Sequence, residues 1–210
     1  ESPTVHVDAV SPTTGNVRHV STFNHTAGML IALGDLAFEE DSDRVATLSS
    51  NSAPPYVGNL ILSEPHGGST KLAWKAASDA VYESPAFFNP ELLYMSNVSF
   101  PGARRSASRI QWIGEALALP EPELTFSGNL AEWDIPKNQI RAIGKPIQDS
   151  YSTWAVGAAV DRPTEAYYTL ILDDNSHTSH LLSYSLKTGE RHISAPIITE
   201  AIGDVFTAFS

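Results

Sequence analysis

The sequence predicts an all-β fold built from repeated four-stranded antiparallel sheets, and three features of the 210-residue chain carry that prediction. A turn-and-strand segment recurs around Ser11-Pro12-Thr13-Thr14-Gly15, Asp134-Ile135-Pro136-Lys137-Asn138 and Ser185-Leu186-Lys187-Thr188-Gly189. Each copy sits between two alternating apolar/polar runs, and an alternating run on either side of a Thr-Gly or Lys-Asn turn signal is how a β-hairpin is written. Four strand-like runs also follow one another in about 45 residues near the carboxy terminus, the size of one antiparallel meander. Spacing is the third feature: 52 residues separate Gly15 from Gly67, and 51 separate Asn138 from Gly189.

Taken in order, Val5-His6-Val7-Asp8-Ala9-Val10 and Val17-Arg18-His19-Val20 read as the last two strands of a first unit. The run Ile202-Gly203-Asp204-Val205-Phe206-Thr207-Ala208-Phe209 is the expected donor of its earlier strands, because pairing the two ends removes open sheet edges. Met29-Leu30-Ile31-Ala32-Leu33 with Leu36-Ala37-Phe38, then Arg44-Val45-Ala46-Thr47-Leu48, Gly58-Asn59-Leu60-Ile61-Leu62-Ser63 and Lys71-Leu72-Ala73-Trp74 make four strands of a second unit. A helix over residues 27–40 competes there, with Thr26 as N-cap, but Gly28 and Gly34 favour the strand, since a mid-helix Gly costs about 1 kcal/mol relative to Ala. The middle is less regular: Ala86-Phe87-Phe88, Leu92-Leu93-Tyr94-Met95 and Arg109-Ile110-Gln111-Trp112-Ile113 read as strands, and residues 114–122 as a loop. The last unit runs through Trp154-Ala155-Val156-Gly157-Ala158-Ala159-Val160, Ala166-Tyr167-Tyr168-Thr169-Leu170-Ile171-Leu172, Leu181-Leu182-Ser183-Tyr184-Ser185-Leu186 and Arg191-His192-Ile193-Ser194.

These units resemble the β-propeller class over about two-thirds of the chain, with four or five blades, complete or incomplete. The resemblance is to the class and not to one family: Trp-Asp occurs once, at Trp133-Asp134, without a Gly-His partner, and no Ser-x-Asp-x-Gly-x-Thr-Trp box is present. A β-sandwich of similar strand count is the alternative architecture. The whole of residues 1–210 reads as a single domain.

Composition narrows the functional classes. Thirteen basic and 24 acidic residues leave a net charge of −11, a surface that repels phosphate backbones and anionic headgroups. Nucleic acid and membrane surfaces are therefore not expected partners, and no run approaches the roughly 18 apolar residues of a membrane-spanning helix. The absence of cysteine excludes thiol nucleophiles, thiolate metal sites and a disulfide framework. Sequons at Asn24-His25-Thr26 and Asn97-Val98-Ser99, each beside turn-like sequence, make Asn24 and Asn97 the expected glycosylation sites of a secreted chain. The start at Glu1-Ser2-Pro3, with neither an initiator Met nor a charged leader, is the expected mark of processing or trimming.

His177 and His180 with Asp173 and Asp174 are the ingredients of a metal site, against a solvated turn, because i and i+3 on a strand face opposite ways. Glu39-Glu40-Asp41-Ser42-Asp43 offers oxygen ligands for calcium, against an acidic turn lacking EF-hand order. His19 and His192 recur after two of the turns and read as strand packing. Among Asp35, Glu132, Asp134, Asp161 and Asp204, three follow or sit within short apolar strands: Asp35, Asp161 and Asp204 are the catalytic candidates, against carboxylates that close their own turns. Trp74, Trp112, Trp133 and Trp154 are the ligand-binding candidates, because aromatic faces stack on sugars, against filling space between sheets.

Three functions follow as expectations. The first is a secreted module that binds a glycan or small ligand without a cofactor. The second is a hydrolase or lactonase with an acidic site, assisted by calcium or another divalent cation. The third is a subunit whose repeats associate with a second chain.

Overall fold

The computed structural model describes residues 4–24, 29–51, 58–63, 69–73, 80–99, 126–149, 151–152, 157–173, 176 and 178–197. Among the described residues there are fifteen strands in four antiparallel sheets and no helix. Strands β1 (Thr4–Val10) and β2 (Val17–Asn24) form a two-stranded sheet. The second sheet is the meander β3 (Met29–Glu39), β4 (Arg44–Asn51), β5 (Gly58–Ser63) and β6 (Ser69–Ala73). The third is β7 (Ala80–Asn89), β8 (Leu92–Ser99), β9 (Phe126–Asp134) and β10 (Gln139–Asp149), paired in chain order. The fourth has β11 (Tyr151–Ser152) and β12 (Ala158–Asp161) sharing one edge of β13 (Ala166–Asp173), followed by β14 (Thr178–Ser185) and β15 (Arg191–Ile193).

The strand reading of residues 29–39 holds, with an irregularity between Ile31 and Leu36 that contains Asp35. The middle is more regular than its sequence suggests. Strand β9 begins at Phe126, where Gly128 and Asn129, both poor strand formers, conceal it. The expected strand at residues 109–113, the loop at 114–122 and the tail at 202–209 lie outside the described residues.

Packing follows from the two-residue period of a strand. Along β8, Leu93 and Met95 point to the second sheet, where they join Phe87, Trp133, Ala37, Ala46, Leu60 and Leu62. Tyr94 points the other way, into a cluster of Ala86, Leu130, Ile143, Tyr167, Ile171, Leu182, Tyr184 and Leu186 shared with the fourth sheet. The third sheet is thus covered by a sheet on each face. A two-sheet sandwich offers no such middle layer. Edge strands of successive sheets are neighbours, β3 beside β7 and β7 beside β12, so the sheets fan out from a common line.

One turn design closes five hairpins. Its first residue supplies a side-chain acceptor and its fifth adopts a left-handed backbone: Gly15 (φ 70°), Asp43 (55°), Asn138 (52°), Glu165 (50°) and Gly189 (69°). The fourth residue's N–H donates to Ser11 Oγ at 3.3 Å, Glu39 Oε2 at 2.7 Å, Asp134 Oδ1 at 3.1 Å and Ser185 Oγ at 3.3 Å. In the fifth turn Thr164 Oγ1 donates to Asp161. The Thr-Gly copies match bond for bond: Gly15 N–H donates to Ser11 O and Gly189 N–H to Ser185 O, both at 2.8 Å.

In a meander the first-to-second and third-to-fourth turns fall at the same end, and they are tied together there. Ile135 N–H donates to Glu91 O, and Leu186 N–H to Glu165 O, both at 2.9 Å. Between sheets, Arg18 grips Asp43 through two bonds of 2.7 and 2.8 Å, and Arg162 reaches Glu39 at 3.5 Å.

Candidate functional site

The β9–β10 hairpin positions a charged cluster at the end where the tight turns gather. Register places Tyr94, Glu132 and Arg141 side by side on β8, β9 and β10, so one face of the third sheet carries them as a row. Arg141 donates to Glu132 Oε1 at 2.6 Å through Nε and to Oε2 at 3.1 Å through a terminal nitrogen, while Tyr94 O–H donates to Oε2 at 2.9 Å. One turn further on, Lys137 Nζ bonds Asp134 Oδ2 at 2.5 Å. Glu132, Asp134, Lys137, Gln139, Ile140 and Arg141 line an open cleft of about 480 Å³.

The electrostatics follow from those partners. The Arg141 guanidinium holds the Glu132 carboxyl below the usual glutamate value, Tyr94 assists, and burial opposes them. Burial raises the Tyr94 phenol, and its bond to Glu132 raises it further. Lys137 lowers Asp134 and is itself raised in return. Both carboxylates are therefore anions that accept hydrogen bonds, and neither is a proton donor at neutral pH. Arg141 and Lys137 keep side-chain exposures of 69% and 70%, so donors remain free to meet a ligand.

Of the carboxylates singled out by sequence, Glu132 and Asp134 line this cleft; the other candidates among the described residues lie elsewhere. Trp133 is 1% exposed and fills the layer between the second and third sheets, presenting no ring face for stacking; Trp74, Trp112 and Trp154 lie outside the described residues. Asp161 accepts the Thr164 hydroxyl within its own turn, Asp35 sits in the irregular part of β3, and Asp204 is outside the described residues. His180 is buried, with Nδ1 bonded to Ser194 O and Nε2 to Thr178 Oγ1, each at 2.9 Å. Asp173 ends β13, and Asp174 and His177 are outside the described residues. Among the described residues no three His, Cys, Asp or Glu side chains converge to hold a metal. Glu39 is buried and bound by Ser42, so its carboxylate closes its own turn.

Of the two sequon asparagines, Asn97 is on strand β8, its Nδ2 donating to Asn129 Oδ1 at 2.8 Å, and Asn24 ends β2 opposite Thr4. His19 and His192 are both exposed and so do not fill the space between sheets, which corrects their reading as strand packing.

No family model matches the chain, and no curated protein matches it. Solved structures do. A chain of the nidogen/laminin complex, a propeller-type fold, shares 11% identity at a TM-score of 0.56 over 93% of this chain and 59% of its own. An ACO/RPE65 chimera gives 13% and 0.56 over 93% and 44%, and a mutant of the Synechocystis apocarotenoid oxygenase gives 12% and 0.52 over 93% and 44%. The chain thus spans about half the length of these structures, and at such identities the likeness concerns fold alone. Stacked meanders sharing a line of edge strands, together with these likenesses, identify an all-β chain of the propeller type.

Proposed function

We propose that this chain is a secreted binding module that recognises a glycan or another small polar ligand through the β9–β10 cleft. The observation that carries the reading is the cluster of Glu132, Asp134, Lys137 and Arg141, which puts ionised acceptors and exposed cationic donors on one rigid hairpin. Sugar hydroxyls need both kinds of partner, and charge-assisted bonds are the stronger ones. Holding Glu132 ionised suits recognition and disfavours its use as a general acid. The test is a glycan array probed with the full chain, followed by calorimetry on the best hit. Arg141→Ala and Lys137→Ala are each expected to weaken binding about tenfold, equivalent to about 1.4 kcal/mol. Binding unchanged by both substitutions refutes the cleft.

A second reading, association with another chain in a larger ring, is favoured by one observation: among the described residues the first sheet has two strands where its neighbours have four or more. Light scattering decides it. A mass of one 22.7 kDa chain at micromolar concentration refutes it.

A further inference from the structure

The outward face of the two-stranded sheet carries a second cluster that the cleft does not involve. In a regular strand, residues three apart face opposite ways. On β2 a bulge breaks that rule: Val7 pairs with Ser21 and Asp8 with His19, leaving Val20 without an opposite residue. Val20 and Ser21 are consequently both buried, and His19 and Thr22 share the outer face with their partners Asp8 and His6.

The four side chains converge. His19 Nδ1 lies 2.8 Å from Asp8 Oδ1, and His19 Nε2 lies 2.7 Å from Thr22 Oγ1. His6 Nδ1 is 3.2 Å from the same Thr22 oxygen, and the two imidazoles meet edge to face with centroids 5.8 Å apart. Two ring nitrogens from opposite strands thus point at one spot, and a carboxylate holds the far nitrogen of one of them. A histidine whose Nδ1–H is bonded to a carboxylate presents its Nε2 lone pair, the orientation that metal-ligating histidines take.

We propose that His6 and His19 form a surface site for a first-row divalent transition-metal ion such as zinc, with Asp8 as the residue that positions His19. Imidazole suits zinc, copper and nickel, whereas calcium and magnesium require oxygen ligands. The ion takes the place to which both nitrogens point, at about 2.1 Å from each, after the Thr22 side chain turns aside about χ1. Water completes the coordination, so the ion is exchangeable and open to a further ligand. The Asp8 carboxylate stays on Nδ1 of His19 and is not itself a ligand.

The test is calorimetric titration of the 210-residue chain with zinc chloride in a non-coordinating buffer. One ion per chain is expected, and His6→Ala and His19→Ala should each reduce affinity at least tenfold. Asp8→Asn should reduce it about tenfold, with partial rescue by Asp8→Glu, because loss of an outer-shell carboxylate typically has that effect. Imidazole nitrogen resonances of the unsubstituted chain give an independent reading, with zinc-induced shifts confined to His6 Nδ1 and His19 Nε2. Absence of binding, binding that survives in the doubly substituted His6→Ala/His19→Ala chain, or binding abolished instead by His177→Ala overturns the site.

Discussion

Glu132 shows how one side chain is fixed by its neighbours. Only 9% of the side chain is exposed, and its oxygens are engaged by the Arg141 guanidinium and the Tyr94 hydroxyl. Substituting Glu132→Gln removes the charge but keeps the shape, so it should cost about 1–2 kcal/mol at pH 7, less than a fully buried pair because Arg141 is exposed. The sign of the pH effect follows from the depressed folded value. The contribution is complete above the ordinary glutamate value of 4.5 and is lost as pH falls from there through the folded value. Urea unfolding of the chain and its Glu132→Gln variant at pH 7 and at pH 3 should therefore show a gap that narrows in acid; a gap that widens contradicts the assignment. Glu132 and Arg141 were legible in sequence as residues flanking one turn, but Tyr94, 38 positions from Glu132, comes from another strand and carries no local signal.

The hairpin turn is the element that the sequence spells most clearly. Its demands are local: an oxygen at the first position and a residue tolerating positive φ at the fifth. Ser11 and Gly15 meet them, as do Ser185 and Gly189, and Asp134 and Asn138 meet them with different residues. Where Glu39 and Asp43 do so, the sequence read as a loose acidic turn. The first part of β9, residues 126–131, and the short β11 hold their places through partners in other parts of the chain, which a local pattern cannot reveal.

Context separates two turns of equal local design. A Cβ at Gly15 meets nothing within 4 Å, so Gly15→Ala should cost only the backbone strain, about 1 kcal/mol. At Gly189 the added atom lies 2.6 Å from Gly144 N and Cα and from Ile143 O, backbone atoms of the neighbouring sheet that cannot swing away. Gly189→Ala should cost roughly 3 kcal/mol, and equal losses for the two variants in urea unfolding contradict the close approach.

At the scale of the molecule, the decisive fact is that the third sheet has a neighbour on each face. Leu93, Met95 and Trp133 fill one layer, Tyr94, Leu130 and Tyr167 the other, and the alternation along β8 assigns its residues to one or the other. Hydrophobic burial on both faces requires sheets in series, and the shared line of β3, β7 and β12 makes that series radial. A repeat near 50 residues, read from turn spacing, anticipated the series; the order of packing was beyond it, because which face meets which neighbour is settled only when all sheets are present. The most direct test is a crystal structure of the full chain. A radial stack places β3, β7 and β12 side by side around a common axis, with Trp133 between the second and third sheets and Tyr167 between the third and fourth. Two sheets stacked face to face, with no sheet covered on both sides, would contradict it.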